Sequence, residues 1–95
     1  MQLQIKEKSW IAKLASKKLK TKNAAIVIGS TIHLYNVTKQ QFLQNEKWVK
    51  HEMCHLKQFQ THGHFTFILK YLWESMRHGY HQNKYEEEAR KAEQE

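Results

Sequence analysis

The pentapeptide His51-Glu52-Met53-Cys54-His55 constrains this chain more than any other stretch, because it dictates how the helix that carries it must lie. Four residues advance an α-helix slightly more than one turn, so both imidazoles fall on one face and can grip one ion. Glu52, about 100 degrees around the axis from His51, stands beside that ion rather than on it. From there its carboxylate can take a proton from water on a divalent metal, which lowers that water's pKa from 15.7 to roughly 7. The surrounding residues agree with an inward-facing motif. At the same angular step Trp48, Val49, His51, Glu52, His55, Leu56 and Phe59 form one arc, and Lys47, Lys50 and Lys57 lie on the other. A glutamate buried between two histidines is costly unless something pairs them, and a divalent ion such as Zn²⁺ does so directly. The plainer alternative is a pair of core histidines satisfied by hydrogen bonds.

A catalytic zinc takes three protein ligands and keeps its fourth position for water, so a third ligand must come from elsewhere in the chain. Asp is absent, Cys54 lies toward the lysine side of its helix, and Glu7 and Glu46 have no supporting pattern. The run Tyr85-Glu86-Glu87-Glu88-Ala89 falls on a later helix that can fold back over the metal. Glu86 and Glu88 flank the apolar stripe of that helix on opposite sides, so helical geometry alone does not choose between them. The competing role for each is a solvated first turn favoured by the helix dipole. Cys54 reads as a filler or an exposed thiol, because no base is set beside it. His33, His62 and His64 are expected at the surface or in loops and receive no role.

A chain of 95 residues fills one domain, 1–95, with one core. Apolar residues make up 40% of it, enough to fold and too many for a disordered segment. No proline, repeat or Gly/Ser linker divides it. Residues 7–20 are helix-favouring, with Trp10, Ile11, Leu14 and Leu19 as the apolar side. Ala24 to Gly29 and Thr31 to Val37 read as two strands of a hairpin turned at Gly29-Ser30. Thr38 with Gln41 forms a capping box, and Asn45 can restart the helix, which runs to about Thr61 and ends at Gly63. Phe65, Ile68, Leu69, Leu72 and Met76 then form one stripe, with Lys70, Glu74 and Arg77 opposite, in an amphipathic helix that Gly79 can terminate. Asn83 caps a last helix bearing Tyr85, Ala89 and Ala92. The expected class is α+β, mostly helical, with a small antiparallel hairpin before the motif helix.

Sixteen Lys and Arg against nine Glu leave a net charge of +7, which fits nucleic acid, an anionic membrane or an acidic partner. Much of the excess is Lys6, Lys8, Lys13, Lys17, Lys18, Lys20 and Lys22. No aromatic platform or base-reading motif accompanies them, so a solvated face is the expectation and nucleic acid ranks last. The N-terminal MQLQIKEKSW lacks a leader's apolar run, and Phe65 to Trp73 is broken by Lys70 and far too short to cross a bilayer. With a single cysteine, no internal disulfide forms. The expected setting is cytoplasmic, with a peptide or protein substrate as partner and no membrane.

His51-Glu52-Met53-Cys54-His55 with Gln58, then a spacer, then Asn83-Lys84-Tyr85-Glu86-Glu87-Glu88-Ala89-Arg90, resembles the small gluzincin-like metallopeptidases, including the minigluzincins, over residues 25–92. The resemblance implies a zincin-like fold and a glutamate third ligand on a separate helix, commonly with a small residue three places on. Glu86, followed by Ala89, matches that pattern, and Glu88 does not. It thereby implies a zinc-dependent peptide hydrolase in which His51, His55 and Glu86 hold Zn²⁺ and Glu52 is the general base. The strand region Ile26 to Tyr35 is similar to the one whose edge pairs with substrate in such enzymes. The chain departs from the thermolysin-type pattern at Arg90, where an Asp usually stands, so the groups that orient His51 and His55 stay unassigned. The oxyanion-stabilising Tyr or His of larger relatives has no secure match, and His78, Tyr80 and His81 are expected at the surface or in packing. The alternative is an inactive or structural zinc module that acts through protein interaction.

Overall fold

The computed structural model describes residues 3–95, so Met1 and Gln2, part of the stretch read for a leader, lie outside it. The order of elements is β1 (Gln4–Lys6), α1 (Trp10–Leu19), β2 (Ala24–Ile28), β3 (Thr31–Tyr35), α2 (Lys39–Gln44), α3 (Glu46–His62), α4 (His64–His78) and α5 (Lys84–Ala92). This is a small α+β domain.

Alternation of Ile32 and Leu34 on the core side with half-buried Thr31, His33 and Tyr35 makes β3 the central strand. β2 pairs with it antiparallel from Ala24 opposite Tyr35 to Ile28 opposite Thr31, as the hairpin reading requires. β1, which was not anticipated, adds to the far side of β3 in parallel, Ile5 opposite Ile32, so the sheet is mixed with the order β1-β3-β2. Three residues, one of them apolar, are too few to show a period of two. His33 is a correction as well. It lies in the strand and shares a 2.9 Å hydrogen bond with the Ser9 hydroxyl. Burial and then Lys6 hold its pKa below the usual value.

The capping box at Thr38 forms as expected, with the Thr38 hydroxyl accepting from the Gln41 amide and the Gln41 side chain accepting from the Thr38 amide. Asn45 then accepts from the Trp48 amide and starts α3. Gly63 separates α3 from α4 at φ 83° and ψ 145°, outside the left-handed helical region and open only to a residue without Cβ. Val27, Ile32, Leu34, Phe42, Leu56, Phe59, Phe67 and Tyr85 form the core between sheet and helices.

Two helices turn differently from their sequence pattern. α1 packs on β2 and β3 through small side chains, burying Ala12 and Ser16 and leaving Trp10, Leu14 and Leu19 exposed. Only small side chains let a helix lie this close to a sheet. In α4 the stripe of Phe65, Ile68, Leu69, Leu72 and Met76 faces outward, and the inward residues are Phe67 and Tyr71. Polar tethers to α5 fix this rotation. Asn83, fully buried, donates to the Tyr71 carbonyl at 3.1 Å and to the Ser75 hydroxyl at 2.9 Å, while Glu74 accepts from the Lys84 amide. Phe67 meanwhile packs edge-on against Phe59 and Tyr85.

The same Asn83 caps α5, accepting from the Tyr85 amide at 2.8 Å. Replacing Asn83 with Ala removes the cap and both bonds donated to the half-buried Tyr71 and Ser75, so unfolding should become easier by about 2–4 kcal/mol. Asp, which keeps the cap and loses both donated bonds, should fall between Ala and wild type in urea midpoint. Equal midpoints for wild type and Asn83→Ala would remove Asn83 as the tie between the two helices.

Candidate metal centre

Two helices build the centre. α3 presents the arc expected of it, with Glu52, His55, Leu56 and Phe59 buried, Trp48, Val49 and His51 half-buried, and Lys47, Lys50 and Lys57 exposed. α5 lies across α3 and sends Glu86 to the two imidazoles, three residues beyond its Asn83 cap. Glu86 Oε1 lies 3.1 Å from His51 Nε2 and 3.2 Å from His55 Nε2. Bonds of about 2.0–2.2 Å at tetrahedral angles about one zinc set donor atoms roughly 3.3 Å apart, close to these two separations, and all three donor atoms lie within 4.8 Å of one another. His51, His55 and Glu86 form the one cluster of three metal-ligating types found among the described residues.

The outer nitrogens explain the convergence. His51 Nδ1 is 2.7 Å from a Glu93 carboxylate oxygen, and His55 Nδ1 is 2.9 Å from the Gln58 side-chain oxygen. Both partners are acceptors, so each Nδ1 donates outward and each Nε2 is the nitrogen turned toward Glu86. In the metal-free protein these groups share protons, and a divalent cation can take the place of those protons. Burial opposes charge on His51, yet hydrogen bonds to Glu86 and Glu93 and the neighbouring Glu52 outweigh it and raise its pKa to about 9. The pKa of His55 is raised too, Glu86 overcoming burial. Burial likewise works against the Glu86 charge, but bonds from His51, His55 and Tyr71 hold its carboxyl far below the usual range. The donor set therefore fits zinc: two imidazole nitrogens and a carboxylate that stays ionised.

Glu52 stands beside this triangle in the wall of an apolar cleft of about 280 Å³. Burial raises its carboxyl from 4.5 to about 7, against the opposing pull of His55 and His51. A carboxyl poised there exchanges protons near neutrality. The cleft runs between α1 and α4, over β2, and its lining includes Leu19, Ile28, Ile68 and Leu72. Tyr71 donates to Glu86 Oε2 at 2.5 Å, and Tyr80 also borders the cleft. Burial and the Glu86 carboxylate keep both phenols protonated. Tyr80 is exposed, as are His78 and His81, and it borders the cleft from the surface.

The choice between Glu86 and Glu88 resolves by distance. Glu88 points outward and accepts from the Gln58 amide at 2.6 Å, behind His55 and away from the triangle. Cys54 donates weakly to Glu88, and burial followed by Glu88 pushes its thiol up to about 11, which suits no nucleophile. Arg90 bonds the His81 carbonyl and supports neither histidine. That support comes from Glu93 and Gln58, which the sequence reading did not assign. Gln58, three residues after His55 on one helix face, was open to it, but Glu93 is 42 residues from His51 and sends no local signal. Removing an outer-sphere partner commonly costs 10–100-fold in metal affinity. Glu93→Ala should therefore weaken zinc binding by about that much in a chelator competition, with Glu93→Gln nearer to wild type because it still accepts from Nδ1. Unchanged affinity in the Ala variant would show that His51 needs no orienting group.

Compared with protein-family models, curated proteins and solved structures, the chain has no match.

Proposed function

We propose that the chain is a zinc-dependent hydrolase, a zincin-like metallopeptidase of gluzincin type, in which His51, His55 and Glu86 hold Zn²⁺ and Glu52 is the general base. What supports this reading is the convergence of the His51 and His55 Nε2 atoms, 3.1 and 3.2 Å from one oxygen of the Glu86 carboxylate, each imidazole held from behind, beside the buried Glu52. Zinc held there supplies a Lewis acid for a carbonyl and acidifies water at its remaining position. A structural zinc would take a fourth protein ligand, and the cluster ends at three among the described residues.

The chain's own residues account for the rest of the reaction. Among the described residues β2 pairs only with β3, so its other edge, along the cleft, is free to hydrogen-bond an extended peptide backbone. Glu52 takes the proton from the attacking water and returns it to the leaving amine. Tyr80, protonated at neutral pH, is the donor available to the carbonyl oxygen as charge develops on it. Tyr71 orients Glu86 through its 2.5 Å bond.

Metal analysis and a cleavage assay test the reading together. The purified chain should carry close to one zinc and cleave fluorescence-quenched peptides of mixed sequence. A chelator should abolish the cleavage, and added zinc should restore it. Stoichiometric zinc with no cleavage of any peptide would leave the inactive or structural module, and absence of bound zinc would remove the metal altogether.

A further inference from the structure

The outward stripe of α4 is the largest feature that the hydrolase reading leaves unused. Phe65 is 74% exposed, Leu69 53%, Leu72 53%, Trp73 58% and Met76 81%, and of the fifteen residues of α4 only Phe67 is buried. Together these five side chains present roughly 600 Å² of apolar surface, at the upper limit of what a soluble monomer shows. Across the cleft α1 shows Trp10, Leu14 and Leu19 to solvent among Lys13, Lys17, Lys18 and Lys20. The two faces join at the cleft mouth, where Leu19 and Ile28 from one side and Ile68 and Leu72 from the other are all partly exposed.

Charge identifies what covers this surface. Seven of the nine glutamates lie on α3 and α5 or at the C-terminus just beyond, on the metal-binding side of the molecule. α1 carries no acidic residue, and the single one on α4, Glu74, accepts from the Lys84 amide toward α5. Arg77 lies against the Trp73 ring at one edge of the α4 face. The face is thus apolar and cationic at once, with Trp and Phe among its most exposed members. A second copy would bring lysine-rich α1 faces near one another. A ridge with such protruding side chains also suits a soft layer, whereas a folded partner would have to offer a matching groove.

We propose that the outer faces of α4 and α1 dock on an anionic lipid surface, with the α4 side chains set into the headgroup layer and the lysines against the lipid phosphates. Interfacial helices have this division, an apolar face beneath flanking Lys and Arg. The docking needs no spanning segment, and no helix among the described residues is long and apolar enough to cross a membrane. It reverses the expectation that no membrane takes part, which rested on the shortness of the Phe65 to Trp73 run. The inference is independent of the metal and of any hydrolysis.

Sedimentation with vesicles tests it. The chain should bind phosphatidylcholine vesicles containing 30% phosphatidylglycerol at least ten-fold more tightly than pure phosphatidylcholine, and lose most of that binding at 0.5 M salt. Leu69→Glu with Met76→Glu, both at exposed positions, should reduce binding ten-fold or more while far-ultraviolet circular dichroism stays unchanged. Lys17→Glu with Lys18→Glu should do the same. Failure to bind anionic vesicles overturns the proposal, as does binding that ignores the α4 substitutions. A stable dimer in analytical ultracentrifugation that the α4 pair dissociates would also overturn it, assigning the face to a second copy. Zinc content and peptide cleavage, measured on the same preparations, keep these outcomes separate from the fate of the hydrolase reading.

Discussion

Glu52→Gln should bind zinc as wild type does and hydrolyse peptides 10²- to 10⁴-fold more slowly, the usual contribution of a positioned general base. In barrier height that is about 3–5 kcal/mol. Gln has the same shape and can occupy the same place in the cleft wall, but it cannot take a proton. Stability should move the opposite way. In the metal-free protein burial raises the Glu52 pKa from 4.5 to about 7, so its ionised form is less favourable folded than unfolded. That penalty is absent below pH 4.5, grows as pH rises to about 7, and is fully present at pH 8. Metal-free Glu52→Gln should therefore melt no lower than wild type at pH 8. Loss of cleavage with retained zinc and retained melting temperature separates a catalytic group from a structural one. Equal cleavage rates in the two proteins would end the general-base assignment.

How much of this centre could be read from residues alone depends on the range of the interactions. His51, Glu52 and His55 share a helix turn, so spacing fixes their common face, and α3 buries the arc that spacing dictates. The caps at Thr38, Asn45 and Asn83 were legible for the same reason, since each bonds an amide two or three residues away. α4 shows the limit. Its periodic stripe correctly announces an amphipathic helix, but periodicity does not say what covers the apolar side. Rotation there follows from Tyr71, Ser75 and Glu74 gripping the start of α5, together with Phe67 packing on Phe59 and Tyr85. Those contacts join separate elements, and no local pattern encodes them. β1 is missed because its partner lies 27 residues away, and Glu93 because its partner is 42 away.

On the proposed ligand set, Glu86 and Glu88 should separate in how far added zinc raises the melting temperature. A ligand that binds only the native state adds RT ln(1 + [L]/Kd), about 4 kcal/mol when free zinc is a thousand times Kd. For a domain of this size each kcal/mol moves the melting temperature by about 4–8 °C, so zinc should raise that of wild type by roughly 15–30 °C. Glu86→Gln removes the one anionic group of the proposed ligand set and leaves two imidazoles. If affinity falls 100-fold, the same zinc stands at ten times Kd and stabilises by only about 1.4 kcal/mol, a rise of roughly 6–11 °C. Glu88→Gln, whose carboxylate reaches Gln58 and not the triangle, should keep most of the wild-type rise. The metal-free forms supply the control, because Glu86 also accepts from Tyr71 and faces both histidines, so its loss lowers the baseline before zinc is added. The difference between loaded and metal-free melting temperatures is therefore the quantity to compare. A full wild-type rise in Glu86→Gln would exclude Glu86 from the ligand set, and a collapse in Glu88→Gln alone would transfer the role to Glu88.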